Sequence, residues 1–307
     1  MTARRGTAVA IALVWVALAA AGCGLGPGDG VGEVTLRVTR DYGATPLEST
    51  SDEVLESDTV MRVLERNAEI GTRYGGGFVQ SIDGLEAARD GGRYWDWLYY
   101  VNGVEAGVGA ADYEMHGGEA IWWDYRDWSS ALRVPAVVGS WPQPLRGGYE
   151  GRPRPVAVEC RGGGLACDAV GARLEGAGVP VATGSTPEGA IRVLVGPWDR
   201  VRRDAAAAQI EDGPQQSGVF ADFVPRGNGF ELRGLDEAAE PVRGFGPEVG
   251  LVAATRRHGA PPIWVVTGLT EPGVVAAAQL LNAARLRDHY AVATEGGVDT
   301  PLPLPAR

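Results

Sequence analysis

Lysine is absent from the 307 residues, and histidine, cysteine and methionine occur three times each. The histidines, His116, His258 and His289, are scattered, and no cysteine pair has the short spacing of zinc modules, so nothing supports a zinc site. A Walker loop, a dinucleotide glycine fingerprint, a nucleophile elbow and a zinc-helix motif are all missing, which removes the commonest signatures of catalysis. Positive charge is also scarce. The 28 basic residues, all arginine, face 39 acids for a formal net charge of −11, and a chain this acidic does not seek nucleic acid. The one long apolar run, Gly6 to Gly22, is short for a membrane span and closes on small residues.

That run follows Arg4-Arg5 and ends Leu18-Ala-Ala-Ala-Gly22 before Cys23, the pattern of an export signal over residues 1–22. Cys23 stands where the lipidated cysteine of a bacterial lipoprotein would be. Ala20 occupies a place where such signals more often carry Leu, so ordinary cleavage after Ala21 or Gly22 is the alternative. The Gly-rich residues 23–32 read as a tether. If Cys23 is acylated, Cys160 and Cys167 remain outside the cytoplasm with a Gly-rich loop between them. Compartment and parity favour a disulfide there, against two reduced, half-buried thiols.

Ten of the eighteen Trp and Tyr residues fall between Tyr94 and Trp128. Two aromatic runs, Tyr94–Val101 and Glu119–Arg126, suit a pleated surface, and Asn102-Gly103 is a two-residue hairpin signal. Charges repeat in phase along both runs. Asp96 falls with Leu98 and Tyr100, and Asp124 with Trp122 and Arg126, so these are expected to form the wet faces. Trp97, Tyr99 and Val101, with Ile121, Trp123 and Tyr125, would pack under a helix. The open face then offers Asp96, Tyr100, Trp122 and Asp124 as candidate ligand-binding residues, with ordinary partly covered sheet aromatics as the alternative.

Upstream, Glu33–Thr39 alternates as a half-buried strand, a polar loop follows, and Asp58 is expected to cap a helix over 59–70 whose Val60, Val63, Leu64 and Ala68 cover the sheet. Phe78–Ile82 reads as a strand, Asp83-Gly84 as a turn, and His116-Gly-Gly118 as the turn into the last strand. Residues 132–155, with five prolines and four glycines, read as a linker. Beyond it, short apolar runs and Ala-rich helices predict a separate α/β domain over 156–294. Strands are expected at 156–159, 179–182, 191–195, 220–224, 229–233, 251–254 and 263–267. Helices are expected at 168–175 and 199–210, with a third capped by Thr270 and running to about Leu286. The tail, 295–307, is expected to be disordered.

A strand, a helix and several strands wrapped around it over residues 33–131 make an α+β arrangement of β-grasp type. The order FVQSIDGL, a Trp-containing strand closing on YYVNG, then GVGAADYEMHGGEAIWWDY resembles the transcobalamin-like C-terminal domain family, found in vertebrate vitamin B12 carriers and bacterial surface lipoproteins. The likeness rests on Ile82, Gly84, Trp97, Tyr99, Val101, Asn102, Gly103, Gly118 and Ile121, over roughly residues 34–128. The resemblance implies cobalamin as a ligand, although nothing here matches the helical barrel with which the vertebrate carriers complete their grip. The expected function is therefore a membrane-anchored, extracytoplasmic, non-catalytic binding lipoprotein needing no cofactor. Its partners would be the membrane, a corrinoid or similar amphipathic ligand, and a transporter or surface protein. A protein-interaction or cell-wall-binding module and an enzyme acting through the second domain are the rivals.

Overall fold

The computed structural model describes residues 29–162 and 164–306. The expected export signal, Cys23 and most of the tether lie outside the described residues. The chain is a mixed α/β protein, mostly sheet with few helices.

In the first lobe β1 (Gly30–Arg40) and β2 (Thr45–Leu55) form an antiparallel hairpin. Residues 30–32, expected in the tether, already belong to β1. The expected polar loop is β2, an edge strand rich in Ser, Thr and acids. Its solvent-facing length carries no apolar stripe, so alternation could not reveal it. Helix α1 (Val60–Asn67) follows. Its N-cap is Thr59, whose side chain accepts from the Arg62 N–H, and not Asp58, which pairs with Arg66 instead. Then come β3 (Ile70–Arg73), β4 (Phe78–Ile82), β5 (Leu85–Glu86), β6 (Ala88–Asp90), β7 (Arg93–Val101), β8 (Val104–Glu105) and β9 (Ala120–Asp127).

The large sheet runs β2-β1-β9-β7-β6, with β8 joined to β7. Its centre is a parallel pair, β1 with β9, and β9 pairs antiparallel with β7. Asn102 and Gly103 take positive φ of 54° and 73° and turn β7 into β8. Val34, Leu36 and Val38 pack with Trp97, Ile121, Trp123 and Tyr125 against Val60, Val63 and Leu64 of α1. That face is as the alternation predicts.

The second lobe contains β10 (Val156–Cys160), α2 (Gly164–Gly176), β11 (Ile191–Pro197), α3 (Trp198–Val201), α4 (Pro214–Ser217), β12 (Ala221–Arg226), β13 (Gly229–Leu235), β14 (Pro241–Gly244), β15 (Gly250–Thr255), β16 (Ile263–Gly268), α5 (Glu271–Gln279), α6 (Ala283–Leu286), β17 (Ala291–Glu295) and β18 (Val298–Leu302). Its main sheet runs β10-β11-β16-β15-β17-β18, and the first three strands are parallel. Helices α2 and α5 cover one face, where Val170, Leu174, Val274 and Ala277 meet Val193, Val195 and Val266. The small sheet β12-β13-β14 and α3 cover the other.

Four sequence expectations need correction here. The strand expected at 179–182 is a single bridge from Val181 to Val156. The helix expected at 199–210 is α3, a break, and a 3-10 turn at Ala207–Asp212. The helix from Thr270 breaks between Gln279 and Ala283, where Asn282 caps α6. The tail is not disordered: β18 pairs with β17, Leu302 is buried, and the Leu304 N–H donates to the Leu235 carbonyl.

Residues 132–155 are not a free linker. Val134, Ala136, Val137, Val138, Leu145 and Tyr149 are buried, because the segment bonds to both lobes. The Val137 N–H donates to Gly103 of the first lobe, the Val138 N–H to Tyr290 of the second, and Asn102 donates its side-chain amide to the Gly148 carbonyl. Prolines and glycines hid the periodicity without removing the apolar residues. Nor is the α/β lobe separate. One core unites Tyr42, Tyr100 and Trp122 of the first lobe with Trp198, Phe220, Phe223, Leu251 and Tyr290 of the second.

Candidate functional site: the seam and the cleft between the lobes

The second face of β7 and β9, expected to be wet, is where the lobes meet. Tyr100, Trp122, Asp124 and Arg126 are each 0% exposed. The alternation assigned them to one face correctly. The error lay in equating charge with water: the charges here are met by polar groups of the protein, as buried charges must be. The Trp122 indole N–H donates to Thr39 Oγ1 at 2.8 Å, and that hydroxyl donates to Asp124 Oδ1 at 2.6 Å. The Gly43 N–H reaches the same oxygen at 3.1 Å, and the Tyr290 hydroxyl reaches Oδ2 at 2.8 Å. Burial pushes the Asp124 carboxyl up to about 6 against these donors, and pushes the Tyr100 phenol up to about 12.

Two glycines allow the seam to close. A Cβ on Gly43, whose φ is +81°, would stand 1.8 Å from the Asp288 carbonyl oxygen, and one on Gly139 would stand 2.7 Å from the His289 nitrogen. Arg37, nearly buried, ties the same region by donating to the Gly139 carbonyl, to Ser140 Oγ and to the Asp288 carboxylate. Arg126 forms no ion pair among the described residues. Its guanidinium donates to the carbonyls of Ala131 and Asp127 and lies 5.5 Å from the Tyr42 ring centroid. Thus Tyr100, Trp122 and Asp124 come together in a polar seam where none of them has exposed surface, and not on an open face. Asp96 stands apart, half-buried, accepting from the Trp97 N–H, with burial raising its carboxyl. Cys160 and Cys167 are joined by a disulfide.

What stays open is a cleft of about 590 Å³ beside the seam. Glu105 and Arg133 line it from the first lobe and the connecting segment, and Gln209, Gln216, Arg256 and Arg257 from the second. Arg133 pairs with Glu105 at 3.0 Å, and Arg256 with Glu150 at 3.0 Å. Arg256 also lies 4.9 Å from the Tyr149 ring centroid. Burial raises the Glu105 carboxyl, and Arg133 opposes that. Arg257 and His258 are exposed, and Arg257 forms no ion pair among the described residues. The cleft therefore carries a free guanidinium and carboxamides in an otherwise acidic protein. Sequence reading passed over these residues. The run Arg256-Arg257-His258 after a strand, and the pair Gln215-Gln216, were the available signals. Among the described residues no cluster of three or more His, Cys, Asp or Glu could hold a metal ion, and no helix is long and apolar enough to cross a membrane.

A family model for a domain of unknown function, DUF4430, matches residues 57–127, most of the first lobe after its hairpin. A candidate metal-binding protein from Ruminococcus gnavus ATCC 29149, known from its crystal structure, is similar at 15% identity and a TM-score of 0.24, over 31% of this chain and 97% of that one. A search of curated proteins gives no match.

Proposed function

We propose that the chain is exported, held on the outer face of a membrane by lipid on Cys23, and binds an amphipathic ligand without chemical conversion. The first lobe is then a transcobalamin-like domain of β-grasp type: β1 and β9 pair in parallel at the centre of its sheet, and α1 crosses one face. The observation that carries the reading is the cleft whose walls belong to both lobes. The α/β lobe supplies the second wall of the cleft, where the vertebrate carriers use a helical barrel. Carboxamides at Gln209, Gln215 and Gln216 and the guanidinium of Arg257 suit a ligand edged by amides or phosphate, which makes a cobalamin-type corrinoid the candidate.

The test is to incubate the lipid-free protein with cobalamin, desalt it and read corrinoid absorbance. Retained absorbance that falls about tenfold in affinity on Arg257→Ala supports the reading, at a cost within about 0.5 kcal/mol of stability because Arg257 is exposed. Absence of absorbance removes cobalamin as the ligand. Anchoring is checked separately: Cys23→Ser should move the protein from the membrane fraction to the medium.

A further inference from the structure

A second cavity, of about 560 Å³, lies on the far side of the α/β lobe from the cleft's residues, where β11 and β16 end side by side at Pro197 and Gly268. Open α/β sheets bind ligands in the crevice outside the carboxyl ends of their strands, where the connections from neighbouring strands leave for opposite faces. That condition holds here. The chain leaving β11 enters α3 on one face of the sheet, while the chain leaving its neighbour β16 enters α5 on the other.

Three glycines bring the start of α5 down onto this edge. A Cβ on Gly250 would stand 2.2 Å from the Gly273 carbonyl oxygen, one on Gly273 2.2 Å from the Val249 oxygen, and one on Gly268 2.7 Å from that same oxygen. Thr270 holds the N-cap position, yet its hydroxyl donates to the Pro247 carbonyl at 2.9 Å and no side chain caps the helix. Pro272 in the first turn has no N–H and Gly273 is buried, so the cavity meets this helix at Leu269 and Thr270 and not at its first-turn N–H groups. Phe230 and Phe245 line the same cavity, with Trp198 beneath, stacked on Phe223 at 3.9 Å. At the rim, Arg226 is tied to Glu231 at 2.6 Å, while Asp199 is exposed and has no hydrogen-bond or ion-pair partner among the described residues.

From this arrangement we infer that the cavity is a binding site for an uncharged nucleoside. Its volume falls in the range of small-molecule pockets, and aromatic walls accept the flat ring. Asn228, on the cavity wall, meets the polar edge of the ring, and the Asp199 carboxylate accepts from vicinal hydroxyls. A phosphate is disfavoured, because Arg226 is already neutralised by Glu231 and Glu271 already occupies the first turn of α5.

Calorimetric titration of the full chain with adenosine, guanosine, cytidine and uridine tests the site. At least one should bind with a Kd of about 1 mM or tighter. Phe230→Leu and Asp199→Asn should each weaken it about fivefold or more, while Arg257→Ala in the cleft leaves it unchanged. The matching nucleoside monophosphate should bind no tighter than its nucleoside. Asp199 is exposed, so its variant keeps the fold and the result stands even if Phe230→Leu misfolds. The inference is overturned if none of the four nucleosides binds, if Asp199→Asn binds as the parent does, or if the monophosphate binds more than about tenfold tighter. None of these outcomes bears on the corrinoid titration, which reads the other cavity.

Discussion

The two faces of the aromatic sheet carry similar residues and do different work. Beneath α1, Trp97 and Trp123 belong to an apolar core assembled within the first lobe alone. On the other face, Tyr100 and Trp122 join a core whose remaining members lie as far along the chain as Tyr290 and Leu302, and a polar chain from Trp122 through Thr39 and Asp124 to Tyr290 crosses it. The first face is closed by elements of its own lobe. The second is closed by the other lobe, which begins at Val156 and contributes to this core as far along the chain as Leu302, so its polar residues mark a joint and not a shoreline.

Replacing one tryptophan on each face should break the two cores differently. Trp122→Ala and Trp123→Ala each remove a nearly or fully buried indole, and each should cost about 3–5 kcal/mol. Trp123→Ala should unfold the first lobe. Trp122→Ala should part the lobes, splitting a single thermal transition into two in a calorimetric scan. If Trp122→Ala melts as the parent does, the seam is not a shared core.

Acidity should sharpen the contrast, because a titrating carboxylate sits on the second face. Burial raises the Asp124 carboxyl to about 6 in the folded state, from 3.8 when unfolded. The folded protein therefore holds its proton in a window where the unfolded chain has lost it. Its effect on stability is nil below about pH 4, turns unfavourable as pH rises towards 6, and then stays level at on the order of 3 kcal/mol. Asp58 and Asp204, held low against burial by Arg66 and Arg192, and Asp127, held low by hydrogen bonds from Ser129 and then by Arg93, act in the opposite direction. The measurement is accordingly the difference between parent and Asp124→Asn denaturation curves from pH 4 to 7, which should slope through that window and flatten above it.

The smallest effect is expected far from both faces. The Cys160–Cys167 bond closes a short loop at the end of β10, and Cys160→Ser should cost about 2 kcal/mol. Free-thiol labelling of the unreduced, unfolded parent should find neither cysteine reactive. The lobes should stay docked in this variant, with one thermal transition preserved.

Elements that bury their own side chains locally were legible in the sequence. The alternation of β1, the helical spacing of α1, the turns at Asp83-Gly84 and Asn102-Gly103, and the apolar runs of β11 and β16 all declare themselves within a dozen residues. Elements completed from afar were not. β2 is polar because it sits at an edge. Residues 132–155 owe their order to bonds with two lobes at once, and β18 is held by pairing with β17 and by its Leu302 anchor. The candidate site failed for the same reason. Charge in phase with aromatics separates two faces, but whether a face meets water or protein depends on the rest of the chain. The cleft draws Glu105, Gln209 and Arg257 from three distant stretches, and no local pattern joins them.

The segment 132–155 has a mechanical meaning. Proteins that trap a ligand between two lobes commonly swing shut around it, using a connector free to flex. Here the connector is buried between the parts it joins and is bonded to each, so the cleft is a fixed mould and not a jaw. Ligand would fit a shape already cast, pay little to order it, and leave the overall dimensions of the protein in solution scattering unchanged.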